Sequence, residues 1–158
     1  MSKLIFEVVD TKEKMFVFGL CQKSNDKTQA KDISVLAKKY YGTVKKKTGE
    51  VIPFFVISKD YNKSTRDFQL FVGGSVQNDS LEIFTIPKGI YGRVTIKPKL
   101  GFLWGPSIGK AKRTFYLEWL PKSDYSPLNM EYEHHTDASR GKNPQIDILF
   151  AIEKRSDS

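Results

Sequence analysis

The chain repeats itself, and the repeat limits what it can fold into. A helically spaced apolar set, Ala30, Ile33, Leu36, Ala37 and Tyr40, is followed by two β-rich runs, VIPFFVIS (51–58) and DFQLFVGGSV (67–76). The same order returns later: Ile108, Ala111, Phe115 and Trp119 at helical spacing, then LNMEYEHH (128–135) and QIDILFAIEK (145–154). Each unit reads strand, helix, strand, polar loop, strand. Neither helix can bury its apolar stripe alone, so two such units are expected to share one sheet or to pack two. The predicted fold class is α+β: two pseudo-twofold-related strand-helix-strand-strand repeats, an antiparallel sheet, and helices on one face. The 158 residues are expected to form one domain with halves of about 1–80 and 81–158.

Taken in order, strands are predicted over 4–9, 15–20, 51–58, 66–72, 81–86, 90–96, 130–134 and 145–153. Pro53 suggests an edge or irregular start for its strand, and Gly73-Gly74 a bend at the end of the next. The first helix spans 28–41, with Asp26 and Gln29 as a capping box and Gly42 as its stop. The second follows a loop containing Gly101, Trp104 and Gly105, carries Pro106 in its first turn, and ends at Pro121.

The single cysteine, Cys21, excludes an internal disulfide and a Cys-based zinc site, and favours a reducing cytoplasm. No run approaches the roughly 20 apolar residues of a membrane span, and the N-terminal apolar run, broken by Glu7, is not a signal peptide. The net charge is +8, from 26 Lys and Arg against 18 Asp and Glu. That permits polyanion binding, but the lysines are dispersed and only 45–47 form a run, which argues against nucleic acid as the partner. There is no P-loop, dinucleotide fingerprint, serine elbow or zinc motif. His134 and His135 point to opposite faces of a strand, so no metal or other cofactor is expected.

Two carboxylates, Glu131 and Glu133, alternate along a predicted strand and share one face, with Tyr132 on the other. On spacing alone the pair is better explained as solvated sheet-edge glutamates. Aromatic residues able to wall a site are Tyr91, Trp104, Phe55 and Tyr132; Trp119, on the helix stripe, is assigned mainly to packing.

The segment LEWLPKSDY (117–125), with IPKGIYGRV (86–94), MEYE (130–133) and the terminal QIDILFAIEK, resembles the GyrI-like small-molecule-binding domain. That is the effector-binding domain of AraC-type and MerR-type multidrug regulators, here in stand-alone form, since the chain before Met15 is too short for a helix-turn-helix reader. The resemblance covers about 15–154. It implies an aromatic-lined cleft with a buried glutamate, Glu131 occupying the family's acidic position while Glu133 falls where an aromatic is common. The facing segment of the repeat, VIPFFVIS, offers Phe55 and no carboxylate, so the site is expected to be acidic on one side only. The function implied is that of a bacterial, cytoplasmic protein capturing planar, lipophilic or cationic small molecules, as a monomer or homodimer. Two alternatives stay open: a hydrolase of electrophilic toxins using the same cleft, and a gyrase-inhibitor-like or nucleic-acid-interacting protein. No catalytic residue is assigned.

Overall fold

A computed structural model describes residues 3–100 and 104–156. In chain order the elements are β1 (Phe6–Thr11), β2 (Met15–Asn25), α1 (Gln29–Thr43), β3 (Phe54–Lys59), β4 (Asp67–Gly74), β5 (Glu82–Ile86), β6 (Gly89–Ile96), α2 (Trp104–Thr114), β7 (Tyr125–His135) and β8 (Ile146–Lys154). The strands form one antiparallel sheet in the order β1-β6-β8-β7-β3-β4-β2-β5. The fold is α+β, as the repeat requires. The units β2-α1-β3-β4 and β6-α2-β7-β8 meet where β3 pairs with β7. Ahead of each unit stands one further strand, and these two strands change sides: β1 pairs with β6, and β5 with β2.

Both helices cover the same face. Leu36 of α1 packs with Val56, Phe68, Leu70 and Val72, and Tyr40 with Val51 and Leu81. Ala111 and Phe115 pack on Val94, Ile148 and Phe150. Among the described residues the opposite face has no helix, yet it is also buried. The sheet curls, so that Phe55, Ile57, Phe71, Tyr91, Tyr132 and Leu149 bury one another.

Several local expectations need correction. The N-cap of α1 is Thr28 rather than Asp26, and the Thr28 hydroxyl donates to Asp32 Oδ2 at 2.8 Å. Ser24 donates to the same oxygen at 2.7 Å, and these two bonds, Ser24 first, hold Asp32 below the usual carboxylate range. Gly42 lies inside the last turn; the chain leaves the helix at Lys45, whose φ is 57°. Of the two readings of Pro53, the irregular start holds and the edge does not. Pro53 stands just before β3, outside the hydrogen-bonded ladder of a central strand, because it has no N–H to contribute. Gly73 and Gly74 continue β4 instead of bending it. Gly73 lies opposite Gly19 of β2, and a Cβ on Gly19 would come 2.1 Å from the Val72 carbonyl oxygen. Trp104 is the first residue of α2 rather than a loop residue, whereas Gly101 lies outside the described residues.

The second helix ends in two steps. After α2 the chain widens into a π-turn at Phe115–Trp119 and tightens into a 3-10 turn at Leu120–Lys122, which contains Pro121. The freed carbonyls are satisfied locally and from the C-terminal strand side. Ser123 Oγ donates to Leu120 O at 2.7 Å, and the Arg155 guanidinium donates to Leu120 O at 3.0 Å and Tyr125 O at 3.0 Å.

Candidate functional site

A buried carboxylate lies in the middle of the sheet. Residues directly opposite across a ladder share a face, and one such rung on the helix side runs Val94, Ile148, Glu133, Val56, Val72, Leu20 across six strands. Glu133 is its single charged member and is 5% exposed. A carboxylate there costs free energy unless it is paired. Its Oε1 lies 3.2 Å from His135 Nε2, two residues along the same face.

Glu131 stands on the same face, between Phe150 and Ser58. Tyr116 Oη donates to its Oε1 at 3.0 Å, and Lys112 Nζ lies 3.0 Å from its Oε2. The π-turn makes this possible. Widening the helix by one residue lets consecutive side chains reach the sheet. Phe115 stacks on Phe150 at 3.9 Å, while Tyr116 meets the same ring edge-on and carries its hydroxyl on to Glu131. Burial first, and the Glu131 charge second, push the Tyr116 phenol far up, so it remains a donor. For Lys112, burial pulls the ammonium down. The charges of Glu131 and Glu133 outweigh that and hold it above the ordinary lysine range.

At the other end an aromatic row crosses from one helix to the other. Tyr41 of α1 stacks on Phe54 at 5.4 Å, Phe54 meets His135 edge-on at 6.0 Å, and His135 meets Trp104 of α2 edge-on at 6.3 Å. The floor between the helices is therefore apolar and aromatic on β3 and acidic on β7. Two surface hollows of about 260 and 250 Å3 lie elsewhere, lined by polar residues such as Asn62 and Asp67 or Lys3 and Arg93.

Of the residues singled out from the sequence, Glu131, Glu133 and Trp104 come together in this groove. Phe55, Tyr91 and Tyr132 do not. They lie on the far face of the sheet, where Tyr91 and Tyr132 meet edge-on at 5.8 Å and Phe55 stacks on His134 at 4.9 Å. Strand alternation forces this: with Glu131 and Glu133 on one face, Tyr132 must take the other. In the same way Phe54, not Phe55, is the phenylalanine in register with His135 on the groove side. Trp119 stacks on Phe115 and Tyr125 within the packing of the second helix. Three groove residues carry no expectation from the sequence, Lys112, Tyr116 and Phe54, and His135 is weighed there only as a metal ligand. A signal for the first two exists, since Trp104, Ile108, Lys112 and Tyr116 follow at intervals of four along one helical stripe. Among the described residues no group of His, Cys, Asp and Glu is placed to hold a metal ion, and no helix is long and apolar enough to cross a membrane.

One family model, described as Cass2, integron-associated effector binding protein, matches residues 9–152. Among solved structures, the integron cassette protein VCH_CASS2 from the mobile metagenome of Vibrio cholerae superimposes with a TM-score of 0.65, at 12% identity over 95% of each chain. A putative bacterial transcription regulation protein from Staphylococcus aureus MU50 gives 0.63, at 8% identity over 96% of this chain and 98% of that one. SAV2435 bound to tetraphenylphosphonium gives 0.62, at 8% identity over 96% of this chain and 94% of that one. At these identities the likeness is one of fold. A comparison with curated protein sequences finds no significant match.

Proposed function

The chain belongs to the family of integron-associated effector binding proteins, whose business is small-molecule binding, and on that premise we propose that it captures planar, lipophilic cations in the groove between α1 and α2. Glu131 and Glu133 supply the counter-charge, and Phe54, Trp104 and Tyr116 supply apolar and aromatic faces. The observation that carries this reading is Glu133 itself, a carboxylate set in a rung of buried aliphatic side chains with a second carboxylate beside it. A carboxylate in such surroundings gains most from a cation that is itself poorly hydrated and can fill apolar space. Each aromatic face turned to that cation adds about 0.5–2 kcal/mol. The solved neighbour bound to tetraphenylphosphonium supports the same ligand chemistry, a delocalised aryl cation.

Both oxygens of Glu131 are engaged, one by Tyr116 and one by Lys112. That favours a fixed counter-charge over proton transfer, and so binding over hydrolysis. Titration calorimetry with tetraphenylphosphonium, set against a neutral aryl compound of similar size, tests the proposal. Saturable binding of the cation, with the neutral compound weaker, is the expected result. An absence of saturation up to about 1 mM, an affinity near 4 kcal/mol, would sink it.

A further inference from the structure

We propose that Lys112 is a tethered stand-in for the ligand's charge: its ammonium closes the acidic end of the groove, and a cationic ligand binds by displacing it. The inference rests on the reading of the groove as a cation site and adds its internal competitor. Lys112 lies on the groove stripe of α2, eight residues after Trp104. Its Nζ sits 3.0 Å from Glu131 Oε2, with the lysine side chain 21% exposed and that of Glu131 14% exposed. The four-carbon stem covers the groove wall while the head reaches the carboxylate.

The charge count shows what the lysine does. Glu131 and Glu133 bring two negative charges, and Lys112 returns one positive charge. The groove therefore holds an ion pair at Glu131 and is not saturated in charge. A ligand cation approaching Glu131 Oε2 meets the Lys112 ammonium, which lies 3.0 Å from that oxygen. It must send the ammonium out along its flexible stem. Lys112 is already part-exposed, so its head can rotate towards solvent.

The exchange also selects among cations. Releasing a lysine ammonium returns a strongly hydrated charge to water, a favourable step. An incoming primary amine would lose an equal hydration and gain nothing net. A delocalised aryl cation gives up far less hydration and brings apolar area to Phe54 and Trp104. Lys112 thereby acts as a filter, admitting bulky delocalised cations and holding out small hydrated ones.

Substituting Lys112→Met keeps the stem and removes the charge. With tetraphenylphosphonium as the probe, K112M is expected to bind at least tenfold more tightly than wild type, and to accept a primary alkylammonium that wild type excludes. The double variant K112M/E131Q, which removes both partners, is expected to lose the gain. Wild-type binding with K112M equal or weaker overturns the role of Lys112 and leaves the groove reading standing. No saturable binding by either protein overturns both. Should K112M fail to fold, the unmodified protein still decides: lysine acylation by an N-hydroxysuccinimide ester, read by peptide mass spectrometry, should rise several-fold at Lys112 when tetraphenylphosphonium is present. An unchanged or reduced Lys112 yield overturns the displacement.

Discussion

Val56 and Glu133 face each other across the β3–β7 ladder, at the seam where the two halves join, and they occupy equivalent places in VIPFFVIS and LNMEYEHH. One half supplies an aliphatic side chain there and the other a buried carboxylate. The same holds one position out, where Phe54 corresponds to Glu131. A fold with near-twofold symmetry thus carries a groove that is apolar along one wall and charged along the other.

Glu133→Gln keeps the shape and removes the charge. If Glu133 is a counter-charge for the ligand, the variant should lose about tenfold in affinity for tetraphenylphosphonium, equivalent to about 1.4 kcal/mol, with the neutral aryl compound unaffected. Calorimetry on the pair of ligands checks it. Equal losses for both ligands would mean that the substitution disturbs packing rather than charge.

Glu131→Gln should cost stability as well as affinity. It leaves Lys112 beside a neutral amide in a part-buried place, and removing one partner of a fully buried pair costs about 3–5 kcal/mol. Here both side chains keep some exposure to water, at 14% and 21%, so about 1–3 kcal/mol is expected. Urea unfolding of E131Q against wild type measures it. The double variant K112M/E131Q should recover part of the loss, because no unpaired charge is left.

Gly19→Ala tests the close approach of β2 and β4. The new Cβ would lie 2.1 Å from the Val72 carbonyl oxygen and 2.7 Å from Gly73 Cα, both backbone atoms that cannot rotate aside. The ladder would have to part, at a cost of about 3 kcal/mol or more, above the usual range for overpacking. A thermal melt of G19A shows it. A variant as stable as wild type would mean that the two strands can separate without loss.

Much of this arrangement was legible in the sequence. The repeat sets the strand order within each unit and puts both helices on one face, and alternation puts Glu131 and Glu133 together with Tyr132 behind them. The partners of the glutamates were harder. Phe54 and Phe55 are adjacent, and because the curled sheet is buried on both faces, period-two patterning does not say which of them looks into the groove. Trp104 precedes Gly105, which reads as a loop residue, and with Pro106 taken as the first turn the helix start is placed two residues late. Tyr116 follows Trp104, Ile108 and Lys112 on one helical stripe, but that Phe115 and Tyr116 both reach the sheet depends on a π-turn, which no 3.6-residue periodicity announces. Lys112 lies on the same stripe as Trp104 and Ile108, but which carboxylate of β7 it meets is set by how the helix packs on that strand, which spacing along the helix does not give.

Trp104 and Trp119 should report differently on ligand. Trp104 stands at the groove beside His135, while Trp119 stacks on Phe115 and Tyr125 within the helix packing. Emission of wild type and of W119F should change on adding tetraphenylphosphonium, whereas that of W104F should not. Loss of one aromatic face should also weaken W104A by about 0.5–2 kcal/mol, roughly twofold to thirtyfold. A ligand-dependent signal that persists in W104F would place the ligand away from α2.

His134 gives the protein a pH dependence that is separate from the groove. It stacks on Phe55 on the far face, opposite Asp147 in the β7–β8 ladder. Burial pulls its pKa below the ordinary 6.5, Asp147 opposes that only in part, and His135 adds to the lowering. A base with a lowered folded-state pKa is protonated more readily in the unfolded chain. The unfolded state therefore binds the extra proton, and stability falls as pH drops below about 6.5, until the folded-state pKa is passed. The slope cannot exceed about 1.4 kcal/mol per pH unit for one group. His134→Gln removes the titration while keeping a polar side chain of similar reach. Its loss of stacking shifts the whole curve by a constant. Urea midpoints at about pH 5.5 and 7.5 separate the two effects: wild type should lose more stability than H134Q on acidification, and parallel profiles would show that His134 is as easily protonated in the folded protein as in the open chain.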